Sequence, residues 1–272
     1  MAPHSIRIWG LEGIPEIQPG DNLCRIVCAA LERSRSSTGD LEGKLSEPEA
    51  TPDQRAKLVI PRTIFVVAQK IISKAEGRIV RLESVQPSAQ AKDWAAQYHK
   101  DPRMVEVVLR EARRIVRMDR GILIAETHHG FICANAGVDA SNAPKGAVVL
   151  LPEDPDGSAS RLRLGLEEIL GVPLGVIISD TFGRPWRQGL TNIALGLAGL
   201  SPFIDYRGQL DFFGRTLQAT VLAVADELSA AAELVMGKTL GIPVALVEGF
   251  QYHTAEGRGR DLIRPADEDL FR

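Results

Sequence analysis

The sequence predicts a mixed α+β fold: mixed sheets with flanking helices in two interleaved subdomains, and not a P-loop fold. Three observations lead there. Apolar runs of strand length, such as IFVVA (Ile64 to Ala68) and VIIS (Val176 to Ser179), alternate with amphipathic stretches of helical period. Hairpin signals are mixed in among them, which a purely parallel, doubly wound sheet would lack. The chain has 272 residues, 44% apolar and 25% charged, enough to bury a full core without disulfide or metal staples.

Taken in order, Ser5 to Trp9 reads as a strand and LEGIPEIQPGD as a turn-rich connection. Asn22 to Ser34 carries apolar residues at helical spacing, with Asp21 as the expected N-cap. Arg35 to Asp53 is rich in Ser, Gly, Glu and Pro and is expected to be an exposed, poorly ordered loop. The strand Ile64 to Ala68 runs into Gln69, Lys70, Ser73 and Lys74, then the tight Glu76-Gly77. Pro102 to Val116 reads as a helix with an arginine-rich face. Gly121 to Thr127 and Gly130 to Ala134 read as a hairpin turning at His128-His129, and Ala147 to Leu151 as a short buried strand. In DPDGSASRLRLGLEEILG, the aspartates read as turn and N-cap chemistry before an amphipathic helix. Leu190 to Phe203 is apolar and glycine-rich, a candidate dimer interface or an internal core helix. Thr216 to Met236 turns helical after β-like residues at its start, and Pro243 to Val247 is a last strand before a polar tail.

Several function classes drop out. A net charge of −3 gives no global basic field for nucleic acid. The N-terminus lacks an apolar signal region, and Leu190 to Ile204 is too short and too interrupted to span a bilayer. The three cysteines form no C-x-x-C pair and the five histidines no zinc spacing, which fits a reduced, cytoplasmic protein. MGKTLGIP suggests a P-loop, but the first glycine of G-x-x-x-x-G-K-[ST] would fall on Ala232, and helix precedes it. A glycine-bounded turn offering backbone N–H groups to phosphate remains.

The polar residues that stay conspicuous are hard-oxygen and phosphate chemistry. Asp139 and Asn142 follow a strand and a glycine, and could ligate a divalent cation and hydrogen-bond a nucleotide, or close an Asx-turn. Asp180 and Thr181 come directly after the strand Gly175 to Ser179, where open sheets place ligand groups. Both offer oxygens suited to Mg²⁺ or Mn²⁺. Arg184 and Arg187 lie within seven residues of them and cannot be buried without anionic partners. Gln69 and Lys74 can be aimed at one ligand, the lysine as a mobile charge near phosphate.

LEGIPEIQPGD, VVAQKIISKAEGR, ANAGVDASNAPKG, ISDTFGRPWRQG and ADELSAAAELVMGKTLGIPVALVEG occur in that order over nearly the whole chain. In series and spacing they resemble the coenzyme F420-0:L-glutamate ligase family, which adds γ-linked glutamates to a deazaflavin coenzyme. The resemblance implies a single ligase domain over residues 1–272, a homodimer, GTP as co-substrate, two divalent cations (Mn²⁺ or Mg²⁺) and K⁺. It implies GTP contacts at Ile14, Pro15, Glu16, Ile17, Gln69, Lys74 and Asn142, and in the loop Met236, Gly237, Lys238, Thr239, Leu240, Gly241 and Ile242. Asp139 and Asp180 would hold one metal and Thr181 belong to the second. Lys74, Arg184 and Arg187 would screen phosphates or the acidic substrates F420-0 and L-glutamate. The implied route phosphorylates the F420-0 carboxylate with GTP, and the glutamate α-amine then attacks the acyl phosphate.

The chain departs from the pattern at Lys238, where some members place an acidic ligand to the second metal. An ammonium cannot ligate a cation, so that site is not expected to be held by protein alone. The loop 35–53 looks longer than the family needs, and the flavin-binding reductase domain into which some bacterial members continue is not expected here. Two other readings use the same residues: a metal-dependent phosphohydrolase, and a nucleotide-binding protein without catalysis.

Overall fold

The computed structural model describes residues 5–37 and 55–270. Its centre is a five-stranded sheet in the order β1 (Arg7–Gly10), β12 (Val244–Glu248), β2 (Ile64–Ala68), β8 (Gly175–Arg184) and β9 (Arg187–Ala198). β2 and β8 are parallel and the other neighbours antiparallel, so the sheet is mixed, as expected.

Strand alternation explains why both faces are buried. Phe65, Val67, Val176, Ile178, Val244 and Leu246 point to one side. There they meet α1 (Leu23–Ser37) and α5 (Pro155–Leu170) through residues such as Leu31, Leu162 and Leu166. Ile64, Val66, Ile177, Ala245 and Val247 point to the other side, onto Ala225, Leu228, Ala232 and Met236 of α6 (Val224–Met236). Such two-sided burial is why these strands read as continuous apolar runs.

The helix ends follow local chemistry. α5 begins where Asp154 accepts from the Gly157 N–H (3.0 Å) and ends at Gly171 in the left-handed region (φ 70). α1 corrects the expected cap: Asn22 Oδ1 accepts from the Arg25 N–H (3.1 Å). Asp21 instead accepts from the Gln18 N–H (2.8 Å) in the preceding turn. The helix also runs past Ser34, so Arg35 to Ser37 are not loop. Arg35 is held by Glu248 (2.5 Å) and stacks 4.6 Å over Trp9, which extends the helix onto the sheet. The rest of the expected loop, 38–53, lies outside the described residues.

After β2 the chain enters α2 (Gln69–Ala75), then leaves the sheet and builds a second core before returning at α5. This region holds β3 (Ile79–Arg81), α3 (Ala89–Tyr98), α4 (Pro102–Glu111), β4 (Ala112–Asp119), β5 (Ile122–Thr127), β6 (Ile132–Ala134) and β7 (Ala147–Val149). Trp94, Val105, Val108, Leu123, Ala125 and Val148 fill it. The β5–β6 hairpin turns at His128-His129 as expected.

The helix expected over Pro102 to Val116 stops at Glu111, and Ala112 to Val116 belong to β4. Two register shifts in the β4–β5 pairing explain the misreading. Each bulge adds a residue, so Ala112, Ile115 and Met118 reach the core at a spacing of three, a helical period produced by a bulged strand. The arginines answer buried Glu126 across the ladder, Arg114 Nε at 2.7 Å and Arg113 Nη1 at 3.5 Å.

Leu190 to Phe203 is likewise no helix. β9 carries it to Ala198, and Ala194, Leu195 and Leu197 are buried in the chain's own core rather than left for a partner. An arm follows, with β10 (Ile204–Asp205) paired to β11 (Val221–Leu222) and Phe212 and Phe213 exposed at its tip. Among the described residues, no helix is long and apolar enough to cross a membrane.

Candidate functional site

The sheet topology brings distant segments to one end. Strands β2 and β8 run in parallel, so Ala68 pairs with Ser179 and their successors, Gln69 and Asp180, leave the same edge. β12 is antiparallel to both, so the loop before it arrives at that edge, where the Ala68 N–H donates to Pro243 O (2.8 Å). β1 is antiparallel to β12, so the chain beyond Gly10 exits there too, with the Leu11 N–H donating to Val244 O (2.8 Å). The result is a cavity of about 340 Å³, within the range of small-molecule sites.

Its walls are formed largely by the segments singled out in the sequence. Ile14, Pro15, Glu16 and Ile17 form one side, with Gln69, Lys70 and Lys74 of α2 next to them. Asn142 reaches in from the second core, and Ser179, Asp180 and Thr181 form the floor. Met236, Gly237, Lys238, Thr239, Gly241 and Ile242 close the far side. Gly237 ends α6 at φ 58, a backbone conformation that L side chains rarely adopt, and its N–H donates to Glu233 O (2.9 Å).

Lys74 is 4% exposed, and its ammonium meets Glu16 Oε1 at 2.6 Å. Gln69 accepts from the Ser73 hydroxyl (2.8 Å), yet its Nε2 and the Ser179 hydroxyl are buried without a partner among the described residues. Both residues line the cavity. Unmet buried donors are costly, so they mark a place where a polar ligand would repay desolvation.

Asp139 does make the Asx-turn, accepting from the Ser141 N–H and hydroxyl (both 2.7 Å). It also pairs with Lys70 (2.7 Å). Burial alone would raise its pKa, but the Lys70 and Ser141 bonds outweigh burial and hold it below the usual value. Asp180 behaves oppositely. Burial pushes it up to about 6, with the Asp139 charge adding to the rise, while a backbone N–H and the Lys70 and Lys238 charges pull less strongly the other way. Asp180 is partly exposed and lines the cavity.

Thr181 belongs to a further chain of bonds. Its hydroxyl donates to Asn192 Oδ1 (2.6 Å), the Asn192 amide donates to Glu233 Oε2 (2.9 Å), and the Lys238 ammonium sits 2.9 Å from Glu233 Oε1. Lys238 also donates to the Thr181 hydroxyl.

Asp180 and Thr181 do not follow the strand, as expected from sequence, but lie inside β8, which continues to Arg184. Asn192 is thereby placed opposite Thr181. Asp139 and Leu240 are not on the wall, although Asp139 reaches it through Lys70. Arg184 and Arg187 are not on it either. They face each other at the exposed tip of the β8–β9 hairpin. Sequence reasoning missed Ser179, Asn192 and Glu233 and gave Lys70 no role. Asn192 and Glu233 carry no motif of their own, and only the β8–β9 register and the end of α6 bring them in. No group of three His, Cys, Asp or Glu side chains poised for a metal occurs among the described residues.

With this geometry in place, comparison with known proteins decides the family. The model of the F420-0:Gamma-glutamyl ligase family matches residues 13–249. The chain belongs to that family. Every wall of the cavity, from Ile14 to Pro243, lies within the family match. The coenzyme F420:L-glutamate ligase of Methanothermobacter thermautotrophicus is 41% identical over 270 residues, 98% of this chain and 99% of its own. The protein of the same name from Methanocaldococcus jannaschii is 46% identical over 210 residues, 77% of this chain and 84% of its own. That from Archaeoglobus fulgidus is 37% identical over 268 residues, 98% of this chain and 96% of its own.

Proposed function

We propose that this chain joins L-glutamate to the carboxylate of coenzyme F420-0 at the expense of GTP, and then adds γ-linked glutamate. The observation that carries this is the convergence on one cavity of the segments 14–17 and 236–243, unmet buried polar atoms and a set of lysines and carboxylates.

The residues present fit a nucleotide and a hard cation. Ile14, Pro15, Met236 and Ile242 offer apolar contact for a base, and Gln69 and Asn142 offer amide groups. Lys74 is pre-positioned by Glu16, and the exposed side of that pair is carboxylate, so an incoming phosphate can take over the ammonium. Asp139 and Asp180 would hold a Mg²⁺ or Mn²⁺ ion. Such an ion typically takes one or two carboxylates and completes its shell with phosphate and water oxygens. The ion supplies charge neutralisation on the phosphates during transfer. K⁺ is the further monovalent ion of this reading.

A carboxylate does not condense with an amine unless its oxygen becomes a good leaving group. In the proposed sequence the F420-0 carboxylate oxygen takes the γ-phosphoryl group, and GDP leaves. The glutamate α-amine then adds to the acyl carbon, the C–O bond breaks, and inorganic phosphate departs with its electron pair while the amine loses a proton. Lys74 and Lys70 hold phosphate oxygens through both steps, and the loops exclude water that would hydrolyse the acyl phosphate. The reaction runs in the cytoplasm, where Cys24, Cys28 and Cys133 stay free thiols; burial raises Cys28 and Cys133 to about 12 and keeps them unreactive. The working unit in this reading is a homodimer, for which the exposed Trp186, Phe212 and Phe213 provide apolar surface.

Mass spectrometry of F420-0 incubated with L-glutamate, GTP and Mn²⁺, each omitted in turn, tests the reading. A ladder of glutamate additions that requires all three is expected. GTP hydrolysis at the same rate without glutamate or F420-0, and no adduct, would favour the phosphohydrolase reading.

A further inference from the structure

Around Thr181 and Glu233 a cation position already exists, and it is filled by the chain itself. Thr181 and Asn192 face each other across the β8–β9 ladder. Because the Thr181 hydroxyl donates its hydrogen to Asn192 Oδ1 (2.6 Å), its lone pairs are left for a cation. Because the Asn192 amide donates to Glu233 Oε2 (2.9 Å), the other carboxylate oxygen is turned to the same point. The Lys238 ammonium occupies that point, 2.9 Å from Glu233 Oε1 and bonded to the Thr181 hydroxyl. Asn192 is 4% exposed, so this orientation is fixed from the interior.

A lysine near a helix C-terminus pairing with a glutamate of the last turn is an ordinary surface feature. Here the cage is not made by the helix alone. Two of its members come from the central sheet, and all of them line the cavity beside Asp180.

The neighbouring Lys70 pair differs in charge balance. Asp139 and Asp180 are two carboxylates that feel each other's charge, with one ammonium, Lys70, in direct contact with Asp139 and the Lys238 charge acting on Asp180 from a distance. A divalent ion there relieves an excess of negative charge. At Glu233 one carboxylate faces one ammonium, and the oxygen valences are already used. A divalent ion would have to expel Lys238 and would find only one carboxylate.

Building on the ligase reading, we propose that Lys238 is a tethered cation: its ammonium takes the second cation position of the site, so this chain binds one divalent ion where the resemblance implies two. A lysine that cannot ligate a metal is then not a defect in a metal site. It replaces the ion with a charge that never dissociates, held on the wall of the same cavity.

The test counts ions rather than turnover. Mn²⁺ binding is followed by electron paramagnetic resonance and by calorimetry, with a non-hydrolysable GTP analogue present, for the wild type, Lys238→Gln and Thr181→Val. Glutamine removes the ammonium but keeps a hard oxygen at similar reach. The expected result is one tightly bound Mn²⁺ per wild-type chain. Lys238→Gln should bind two, with spin coupling between them, and Thr181→Val should stay at one. Two Mn²⁺ per wild-type chain, or one in Lys238→Gln with analogue bound, overturns the proposal and leaves the ligase reading standing. No Mn²⁺ and no analogue bound by the wild type overturns both.

Discussion

Two cavities of similar size among the described residues spend their polar groups differently. The one at the sheet edge, about 340 Å³, holds buried groups without partners among the described residues and an ion pair with one exposed member. The other, about 320 Å³, lies between the β5–β6 turn and the start of α5 and is lined by His128, His129, Glu153, Asp154, Asp156 and Arg260. It is as rich in charge, but its charge is used up internally. Asp156 accepts from the Leu197 N–H (3.0 Å) and the Gly259 N–H (2.6 Å), which pins β9 and the C-terminal segment to α5. Asp154 caps α5. His129 Nε2 donates to Pro152 O and Glu153 O (2.9 and 3.1 Å), although its Nδ1 is left without a partner among the described residues. A charged cavity is therefore not a site by virtue of its charge. What matters is whether its charged groups are already engaged by the fold.

Neutralising the carboxylate at the floor of the first cavity should break that contrast most strongly. Asp180→Asn is expected to lower glutamate addition by at least about 10³-fold, the scale of losing a group that supports developing charge. Thermal stability should move the other way. The folded-state pKa of Asp180, about 6, lies above its ordinary value of 3.8. Between those values the folded chain holds more proton than the unfolded one, so stability falls as pH rises from about 4 to about 6 and stays lower above that. The asparagine variant lacks this fall and should be more stable at pH 7 by on the order of 1–3 kcal/mol. Melting curves from pH 4 to 7.5 in the absence of metal check the sign. A variant that is inactive and also less stable at pH 7 would show that the carboxylate serves the fold.

Asp156→Ala should do the reverse. Leaving two buried backbone donors unmet costs roughly 2–4 kcal/mol, visible as a fall in Tm. GTP-analogue affinity measured below the transition should stay within about twofold. A large loss of affinity without loss of stability would make the second cavity a binding site after all.

A smaller effect is expected for Lys74→Met. The methionine fills the same buried channel beside Glu16, so Tm should change little, while nucleotide affinity falls by about 10- to 30-fold through loss of one charge-assisted contact. Calorimetry with the GTP analogue measures it. Unchanged affinity would move the phosphates away from α2.

The contrast also explains what could be read from sequence. The central strands were visible because burial on both faces leaves unbroken apolar runs, as in Ile64 to Ala68 and Val244 to Val247. Both ends of α5 were visible because Asp154, Pro155 and Gly171 each have one local job. β4 was not, since its bulges convert a period of two into one of three. In the site, Ile14 to Ile17, Asn142 and most of Gly237 to Ile242 were reached through the resemblance of their segments and do line the cavity, whereas Asp139 and Leu240 from the same segments do not. Asn192 and Glu233 were not reached, because each acquires its role only from what stands opposite it: Thr181 on the adjacent strand, and Lys238 beyond the helix end. Arg184 and Arg187 show the converse: they are not on the cavity wall. Closeness in sequence to Asp180 suggested a shared ligand, but an extended strand carries its residues apart at about 3.3 Å each.

Those two arginines provide the mildest test. At the hairpin tip they stand opposite one another, both exposed, beside Trp186 and well along the strand from the cavity floor. The paired variant Arg184→Gln/Arg187→Gln is expected to bind the GTP analogue within about twofold of the wild type. Any deficit should appear in the KM for F420-0 or glutamate, the acidic partners that an exposed cationic tip can meet first. Calorimetry and substrate-saturation curves separate the two. A loss of nucleotide affinity beyond about tenfold would show that the tip reaches a nucleotide site after all, from its own chain or from a second copy. The polar floor and the exposed hairpin would then be parts of one site rather than two regions of different purpose.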